Sequence, residues 1–557
     1  MKHLYRCLIA AVYFALAATF PSAGKADSAL PFLPVKAAHA SPSNAVPVVE
    51  LRLDNYLDQV VHRNEALQAQ MLESESDRKK WKASRGIFEP QLELSATREA
   101  NRRTNNVEQQ ASQSGQGLFD ERNNIYDGGL DTLLPTGGKV RLGYNLTDQI
   151  NNVNPYGSVF STTNIFFTQQ YQSFIGVTLN QPLLKNGGFV NTLAPLRIAA
   201  LDSDIAFQQY RRALMLTLSR AEIAYWNLYF AQEQLRFFDD SVAVTQEILD
   251  DNRQKLKAGQ GSEMDVLEAE SGLALRQTKR NEALQNYFEA VGNVRAMNGT
   301  MPTTRGAAMD NTVVRVLDVP PQTNSDLTYM EGLEIAMDLN PDYLIQSQKL
   351  KQEEVKLGVA KNQVLPELNL TGAYGYNGLG FSPDSSWDAI ATRQTPSWSI
   401  GLELIVPLAG NIKGRNQLSA EKLALQEAYT TLRGTESEIG NHLNSAIQKT
   451  RAWHESIRSY ETVVHFNEEL LKTESARLKA GTTDGRHVLQ VEADLLDSRQ
   501  ELANALVQYR RSVLDEELTS GAMLKIHGLE ITREELKHQT EGLVKQYENY
   551  NAQFNFN

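Results

Sequence analysis

The stretch AEIAYWNLYFAQEQLRFF, Ala221 to Phe238, decides how this chain is read. Its apolar residues alternate at steps of three and four: Ala221, Ala224, Leu228, Ala231, Leu235 and Phe238. The series continues through Val242, Leu249 and Leu256, with Thr245 and Asn252 in the two polar slots. That spacing keeps one seam on one face of an α-helix and is the heptad pattern of coiled-coil packing. It predicts a helix from about Leu196 to Leu256, on the order of 90 Å long at 1.5 Å per residue. At Lys257-Ala258-Gly259 the pattern stops, and glycine supplies the backbone freedom a helix reversal needs. Val266-Leu267 resumes it on a second helix reaching about Met297.

Helices of this length need partners along the whole seam, because propensity alone does not hold them straight. The chain carries a second pair. Leu443, Ala446, Thr450, Trp453, Ile457, Tyr460, Val464, Leu471 and Leu478 repeat the first seam in phase. Lys479-Ala480-Gly481 repeats the break, and Val488-Leu489 follows it as Val266-Leu267 follows the first. Asn64 stands as far from Pro90 as Asn340 from Pro366, so Pro90-Gln91-Leu92-Glu93-Leu94 matches Pro366-Glu367-Leu368-Asn369-Leu370. Two tandem helix–strand–helix units result. Together they make a wall of helices rather than a closed core, which points to a symmetric oligomer.

Lys2, His3 and Arg6 precede an apolar run from Cys7 to Phe20, with small residues at Ser22, Ala23 and Ala26, the pattern of a secretory signal peptide over 1–26. Residues 27–50, rich in Ala, Pro and Ser, read as an extended leader. The first unit takes 51–300, with a helix interrupted near Asn64 and ended by Pro90. Strand-like alternation follows at Gln91–Thr97, Ile125–Leu134, Lys139–Thr147 and Phe174–Leu183. The polar stretches 100–123 and 148–172 read as long loops, and Pro135-Thr136-Gly137-Gly138 as a tight turn. Residues 301–325 read as a linker. The second unit, 326–522, holds one helix from Leu327 to Val364, strands at Glu367–Tyr376 and Ser397–Leu408, and the second helix pair. Residues 523–557 form a tail with one short amphipathic helix.

Long loops alternating with a tight turn suit an outer-membrane barrel; the other reading is a soluble antiparallel sheet with two long excursions. Phe166, Phe167, Tyr171, Phe174, Tyr374, Tyr376 and Trp398 are candidates for an interfacial girdle. Four strands in the first unit and two in the second would give a trimer about eighteen, or about twelve if the Ile125–Thr147 hairpin lies outside the barrel.

Composition narrows the function. A net charge of −12 argues against a nucleic-acid binder. Cys7, the one cysteine, falls inside the signal, so a processed chain has neither disulfides nor thiolate ligands. Past the signal no run approaches ~18 apolar residues, which speaks against a transmembrane helix. The His-Glu-x-x-His and Gly-x-Ser-x-Gly patterns are missing, and Gly137-Gly138-Lys139-Val140 lacks the spacing and hydroxyl of a Walker A loop. His442, His454 and His465 are spaced 12 and 11 apart, which does not put a metal-binding pair on one helix face. No catalytic site, cofactor or metal is expected. Asp265 and Glu268, one turn apart, either line a cation-selective constriction or form a solvated helix start favoured by the macrodipole.

These features resemble the TolC-like outer membrane efflux proteins. The resemblance is carried by the asparagine, helix and Pro-x-Leu-x-Leu of both halves, by Gly-x5-Asp-Val-Leu at Gly259 to Leu267, and by Arg499-Gln500-Glu501-Leu502-Ala503-Asn504-Ala505. It covers about 50–522. It implies a mainly α protein with a β-barrel part: a homotrimer whose strands form one barrel in outer-membrane lipid. Its coiled-coil helices would form a periplasmic tunnel meeting a periplasmic adaptor (membrane fusion) protein and an inner-membrane transporter. The implied function is the passive exit duct of an efflux pump or a type I secretion system. A periplasmic or surface coiled-coil scaffold without a pore is the alternative class. On the same grounds Lys257, Ala258 and Gly259, with Lys479, Ala480 and Gly481, are adaptor-docking tips. Asp265, Glu268, Asp484, His487 and Gln490 then become candidates for a periplasmic constriction. His487 and Gln490 stand where other members place inward carboxylates, which leaves Asp484, Glu492 or Asp494 to supply an acidic ring.

Overall fold

The computed structural model describes residues 48–107, 110, 118–152, 168–299, 313–322 and 327–553. The chain divides into a small unit, Met1–Val49 with Thr300–Val313, and a large one, Glu50–Gly299 with Val314–Asn557. Of the small unit only residues 48, 49 and 313 are described, and every described helix belongs to the large one.

A short strand β1 (Val48–Leu51) leads to helices α1 (Leu53–Arg63) and α2 (Glu65–Ser84). Strands β2 (Gln91–Thr104), β3 (Leu118–Leu133), β4 (Lys139–Asn151) and β5 (Thr168–Pro182) follow. Helices α3 (Ala194–Lys257) and α4 (Glu263–Met297) form the first hairpin. Strand β6 (Val313–Val316) precedes α5 (Tyr329–Leu339), α6 (Pro341–Gln363), β7 (Glu367–Gly380), α7 (Pro383–Ala391) and β8 (Pro396–Ile405). The second hairpin is α8 (Ile412–Lys479) with α9 (Gly485–Ser520), and α10 (Arg533–Gln553) ends the described chain.

The duplication extends to backbone detail. Asn64 caps α2 by accepting from the Leu67 amide, and Asn340 caps α6 by accepting from the amides of Asp342 and Tyr343. Each then donates its side-chain amide to the far end of its own half, Asn64 to the Met297 carbonyl at 3.1 Å and Asn340 to Thr519 at 2.8 Å. The second of these breaks corrects the single helix expected from Leu327 to Val364. Asn340 is extended and Pro341 starts a fresh helix, since proline has no amide to continue the old one.

The seam residues Ala221, Leu228, Ala231, Phe238, Thr245, Leu249 and Asn252 are buried, as are Leu443, Ala446, Thr450, Ile457 and Leu478 in α8. Thr245 and Thr450 satisfy their hydroxyls on carbonyls one turn back, so the polar slots cost little. The main core gathers Tyr56, Leu214, Leu218, Tyr225, Trp226 and Tyr287 with Val314, Val316, Leu514 and Leu524. The stretch expected as a bare linker, 301–325, thus contributes β6. It pairs with β1 in a two-stranded sheet, and Tyr287 both donates to and accepts from Val314.

The other sheet has six antiparallel strands in the order β2-β3-β4-β5-β7-β8. β3 and β4 lie inside it, so the hairpin considered as an outlier is part of the wall. Strands β2 to β5 run well into the stretches expected as loops at 100–123 and 148–172. There both faces are polar, and cross-strand pairs such as Asn124 with Asp148 and Arg102 with Asp120 replace apolar alternation. Paired residues share a face, and faces alternate along each strand. One face carries Leu92, Leu130, Leu142, Val177, Tyr374 and Trp398 in a single lateral row. The row on the opposite face is Glu93, Gly129, Gly143, Gly176, Gly375 and Ser397. Its four glycines leave room for neighbours. A Cβ at Gly129 would meet the Arg141 guanidinium at 2.7 Å, and one at Gly375 would meet the Phe174 ring at 2.5 Å.

Candidate functional site

The two hairpin tips have one geometry. Ala258 and Ala480 share φ −81° and ψ −2°, and Gly259 and Gly481 follow at φ +74° and +69°. Gln260 donates to the Lys255 carbonyl and Gly259 to Leu256, while Thr482 donates to Arg477 and Gly481 to Leu478. This is the Schellman pattern, which closes the last helical carbonyls through a left-handed residue. A Cβ at either glycine would meet open space, so φ alone selects glycine there. Lys257 and Lys479 end their helices, where a cation suits the carbonyl-rich terminus.

The helix starts beyond the tips differ. Ser262 accepts from the Met264 amide while Asp265 accepts from the Ser262 amide at 3.1 Å, a reciprocal cap. Asp484 caps α9 alone by accepting from the His487 amide at 2.9 Å. Asp484 and His487 are therefore joined, while Asp265, Glu268 and Gln490 each turn to another partner. Glu268 lies 3.8 Å from Arg486 of the other tip, and Gln490 donates to Asp494 at 3.0 Å. The His487 ring lies 3.9 Å from the buried Glu474 carboxylate. Ile248, Leu478 and Val488 pack between the hairpins just inside the tips, so the two tips stand side by side.

Two charged clusters escaped the sequence reading. Arg276 of α4 donates to Ser241 of α3 and to Glu492 of α9, each at 3.0 Å, and to the Leu489 carbonyl at 3.1 Å. Glu492 is buried in this contact, which removes it from any acidic ring. Farther from the tips, the wholly buried Glu222 accepts from Trp226 at 2.9 Å and from Arg510 at 2.7 Å. Arg510 also donates to Glu517, which meets the His527 ring at 3.1 Å. Burial works to raise the Glu517 carboxyl, yet the His527 imidazole and the Arg510 guanidinium hold it below its ordinary range. Burial likewise opposes charge on His527, but the bond to Glu517 and the Glu222 charge raise it above the usual histidine value. In the second cluster Glu222 lies 288 residues from Arg510, so no local pattern joins the two.

At the other end, the apolar face of the sheet is bare over β2 and β8: Trp398 is 74% exposed, and Leu92, Leu94, Ile400, Leu402 and Leu404 are exposed with it. From Leu368 to Tyr376 the band runs roughly 26 Å along β7 at ~3.3 Å per residue. Tilted by about 40°, that spans about 20 Å along the membrane normal, most of the ~25 Å lipid-facing band of a membrane barrel. The reverse face is polar, with Arg141 bound to Glu93 and Asp131, each at 2.7 Å, and to Asp127. Tyr374, Tyr376 and Trp398 stand on the apolar face as a girdle requires. Phe174 does not; the register turns it to the polar face. Phe166 and Phe167 lie outside the described residues. Among the described residues no helix is long and apolar enough to cross a membrane.

The model of the family described as outer membrane efflux protein matches residues 152–300 and 333–515, more than half of the chain. The chain belongs to the outer membrane efflux protein family. Outer membrane protein TolC of Vibrio cholerae is 22% identical over 354 residues, covering 61% of this chain and 74% of that protein. The proteases secretion protein PrtF of Dickeya chrysanthemi is 22% identical over 371 residues, 65% of this chain and 76% of that one. In fold, the CmeC outer membrane channel of Campylobacter jejuni matches with a TM-score of 0.55 at 15% identity, over 88% of this chain and 89% of its own. Membership in the efflux protein family makes this a passive channel of the outer membrane rather than an enzyme, with its helices in the periplasm.

Proposed function

We propose that the chain is the exit duct of an export machine, a homotrimer coupled at its hairpin tips to a periplasmic adaptor and an inner-membrane transporter. The observation that carries this is the open sheet. Its apolar band is exposed, its reverse face is polar, and its outer strands β2 and β8 are paired on one side only. Unpaired edges in lipid are untenable, so the edges must close on one another. Three copies joined β8 to β2 give about eighteen strands, wide enough for an aqueous bore. Protease secretion, which the Dickeya relative is named for, and a small-molecule pump role both fit such a duct, whose specificity then lies with the transporter. A signal peptide over 1–26, a leader over 27–50, repeats over 51–300 and 326–522 and a tail over 523–557 complete the reading.

The docking surface in this proposal is Lys257, Ala258 and Gly259 with Lys479, Ala480 and Gly481. They offer small, exposed residues that let a partner's backbone approach closely. Asp265, Glu268, Asp484, His487 and Gln490 frame the entrance just inside. The double variant Gly259→Val, Gly481→Val tests it. A left-handed φ at a branched residue costs roughly 1–3 kcal/mol, and the strain stays within each turn. Outer-membrane trimer should survive, while adaptor crosslinking and substrate export both fall. Unchanged crosslinking and export would move docking elsewhere.

A further inference from the structure

The connection from β7 to β8 does not continue past the end of the sheet. It folds back as α7 and packs on the apolar face. Ser386 is fully buried there, its hydroxyl 2.5 Å from that of Ser173, and Ile390 is buried beside it. Ser173 shares its face with Ile175 and Val177, and Tyr144, which pairs with Ile175, carries the Trp387 ring edge-on at 5.4 Å. Gly378 and Gly380 make the seat: a Cβ on Gly378 would collide with the Ser386 carbonyl, and one on Gly380 with Ser385. The helix is therefore fixed where the apolar band ends. Beyond it the same face turns charged with Arg98, Arg102, Asp120, Arg122 and Asp148.

Around α7 the residues divide by chemistry. Ser386 and Ile390 face the sheet. Asp384 and Asp388, about half a turn away, stand on the opposite, exposed side. On the flank between them Trp387 is 41% exposed, and Phe381, just before the helix, is 83% exposed. Carboxylates on the outward side exclude acyl chains, whereas an exposed indole continuous with an apolar band suits the boundary between headgroups and chains. We propose that α7 is an interfacial anchor, lying on the outside of the barrel at the headgroup level of the outer leaflet with Trp387 and Phe381 set among the lipids. This rests on the reading that the apolar face of the sheet meets lipid, and Trp398 on the bare band provides a separate check of that reading.

The experiment uses the full protein reconstituted in vesicles and its intrinsic fluorescence. The chain has five tryptophans, and Trp81, Trp226 and Trp453 lie in the helices. Wild type, Trp387→Phe and Trp398→Phe are compared with phosphatidylcholine brominated near the headgroup, with the same lipid brominated near the chain end, and with aqueous iodide. The expected result is that Trp387→Phe removes part of the quenching by shallow bromines, up to about one tryptophan's share, and little of that by deep bromines. Trp398→Phe should remove lipid quenching as well. If Trp387→Phe lowers iodide quenching while only Trp398→Phe lowers lipid quenching, α7 sits in water and the anchor is wrong, although the sheet still spans. If Trp387→Phe changes neither, α7 is covered by protein and the anchor is equally wrong. If neither variant alters lipid quenching, the lipid-facing sheet falls and the anchor with it.

Discussion

Leu228 in α3 and Leu142 in β4 are the same side chain in opposite surroundings. Leu228 is wholly buried among helices of its own chain, while Leu142 is 52% exposed on the sheet. Charge is distributed the other way. In the helical part Glu222, Glu492, Arg276 and Arg510 are buried or nearly so and paired inside the chain. On the sheet, Arg141 and its carboxylates line an open polar face. Both regions alternate apolar and polar residues, so the rule of patterning is shared and the solvent differs. Water around the helices forces apolar groups inward; under the proposed function lipid around the sheet lets them point out, with the polar groups turned to the bore.

The largest test of that contrast is at Arg276. Arg276→Leu strands the Glu492 carboxylate in a buried site, and breaking one partner of such a pair costs about 3–5 kcal/mol. Denaturant unfolding should show the loss, and hydrogen exchange should quicken along α9 near the tip, with the sheet amides unchanged. Protection lost evenly over the molecule would mean that helices and sheet are not the separate regions described. The converse substitution lies on the band. Leu142→Arg should cost about 2–4 kcal/mol in a bilayer, where a charge faces hydrocarbon. An unchanged unfolding midpoint in vesicles would place that face in water.

The smallest effect is proton-linked. The His527–Glu517 contact involves charged groups, worth about 1.5–3 kcal/mol. His527 titrates above its ordinary 6.5, so its contribution is complete below that value and is lost as pH rises through the raised one. Glu517 titrates below its ordinary 4.5, so its contribution is complete above that value and is lost as pH falls through the lowered one. The stability difference between wild type and His527→Gln should therefore peak between 4.5 and 6.5. A difference that stays flat from pH 4 to 9 would show that the contact carries no proton linkage.

Much of this architecture is local in origin and hence legible. The heptad seams, the glycines at 259 and 481 and the six strand cores each need only a few neighbouring residues to be recognised. The strand ends were hidden because Arg98, Asn101, Asn124 and Asp148 lie past the apolar band, where neither face alternates. Their partners are on other strands, and hydropathy does not register a cross-strand pair. Asp265 was legible as part of a helix start, the reading set beside a constriction, and three residues after Ser262 it completes the reciprocal cap. The Glu222, Arg510, Glu517 and His527 cluster joins both halves to the tail. Arg510 and Glu517 share a face of α9, but nothing local ties them to Glu222 in the other half or to His527 in the tail.

The glycine row on the polar face has a mechanical consequence. Gly129, Gly143, Gly176 and Gly375 adjoin one another across four strands, so at one level the wall is bare backbone with Arg141 and Phe174 laid over it. Glycine offers the least resistance to bending of a strand, and aligned glycines put those soft points on one line perpendicular to the strands. Such a line acts as a crease. The sheet can change its taper there without breaking a ladder hydrogen bond, and a bulkier residue at any of the four positions would stiffen the fold line for all of them.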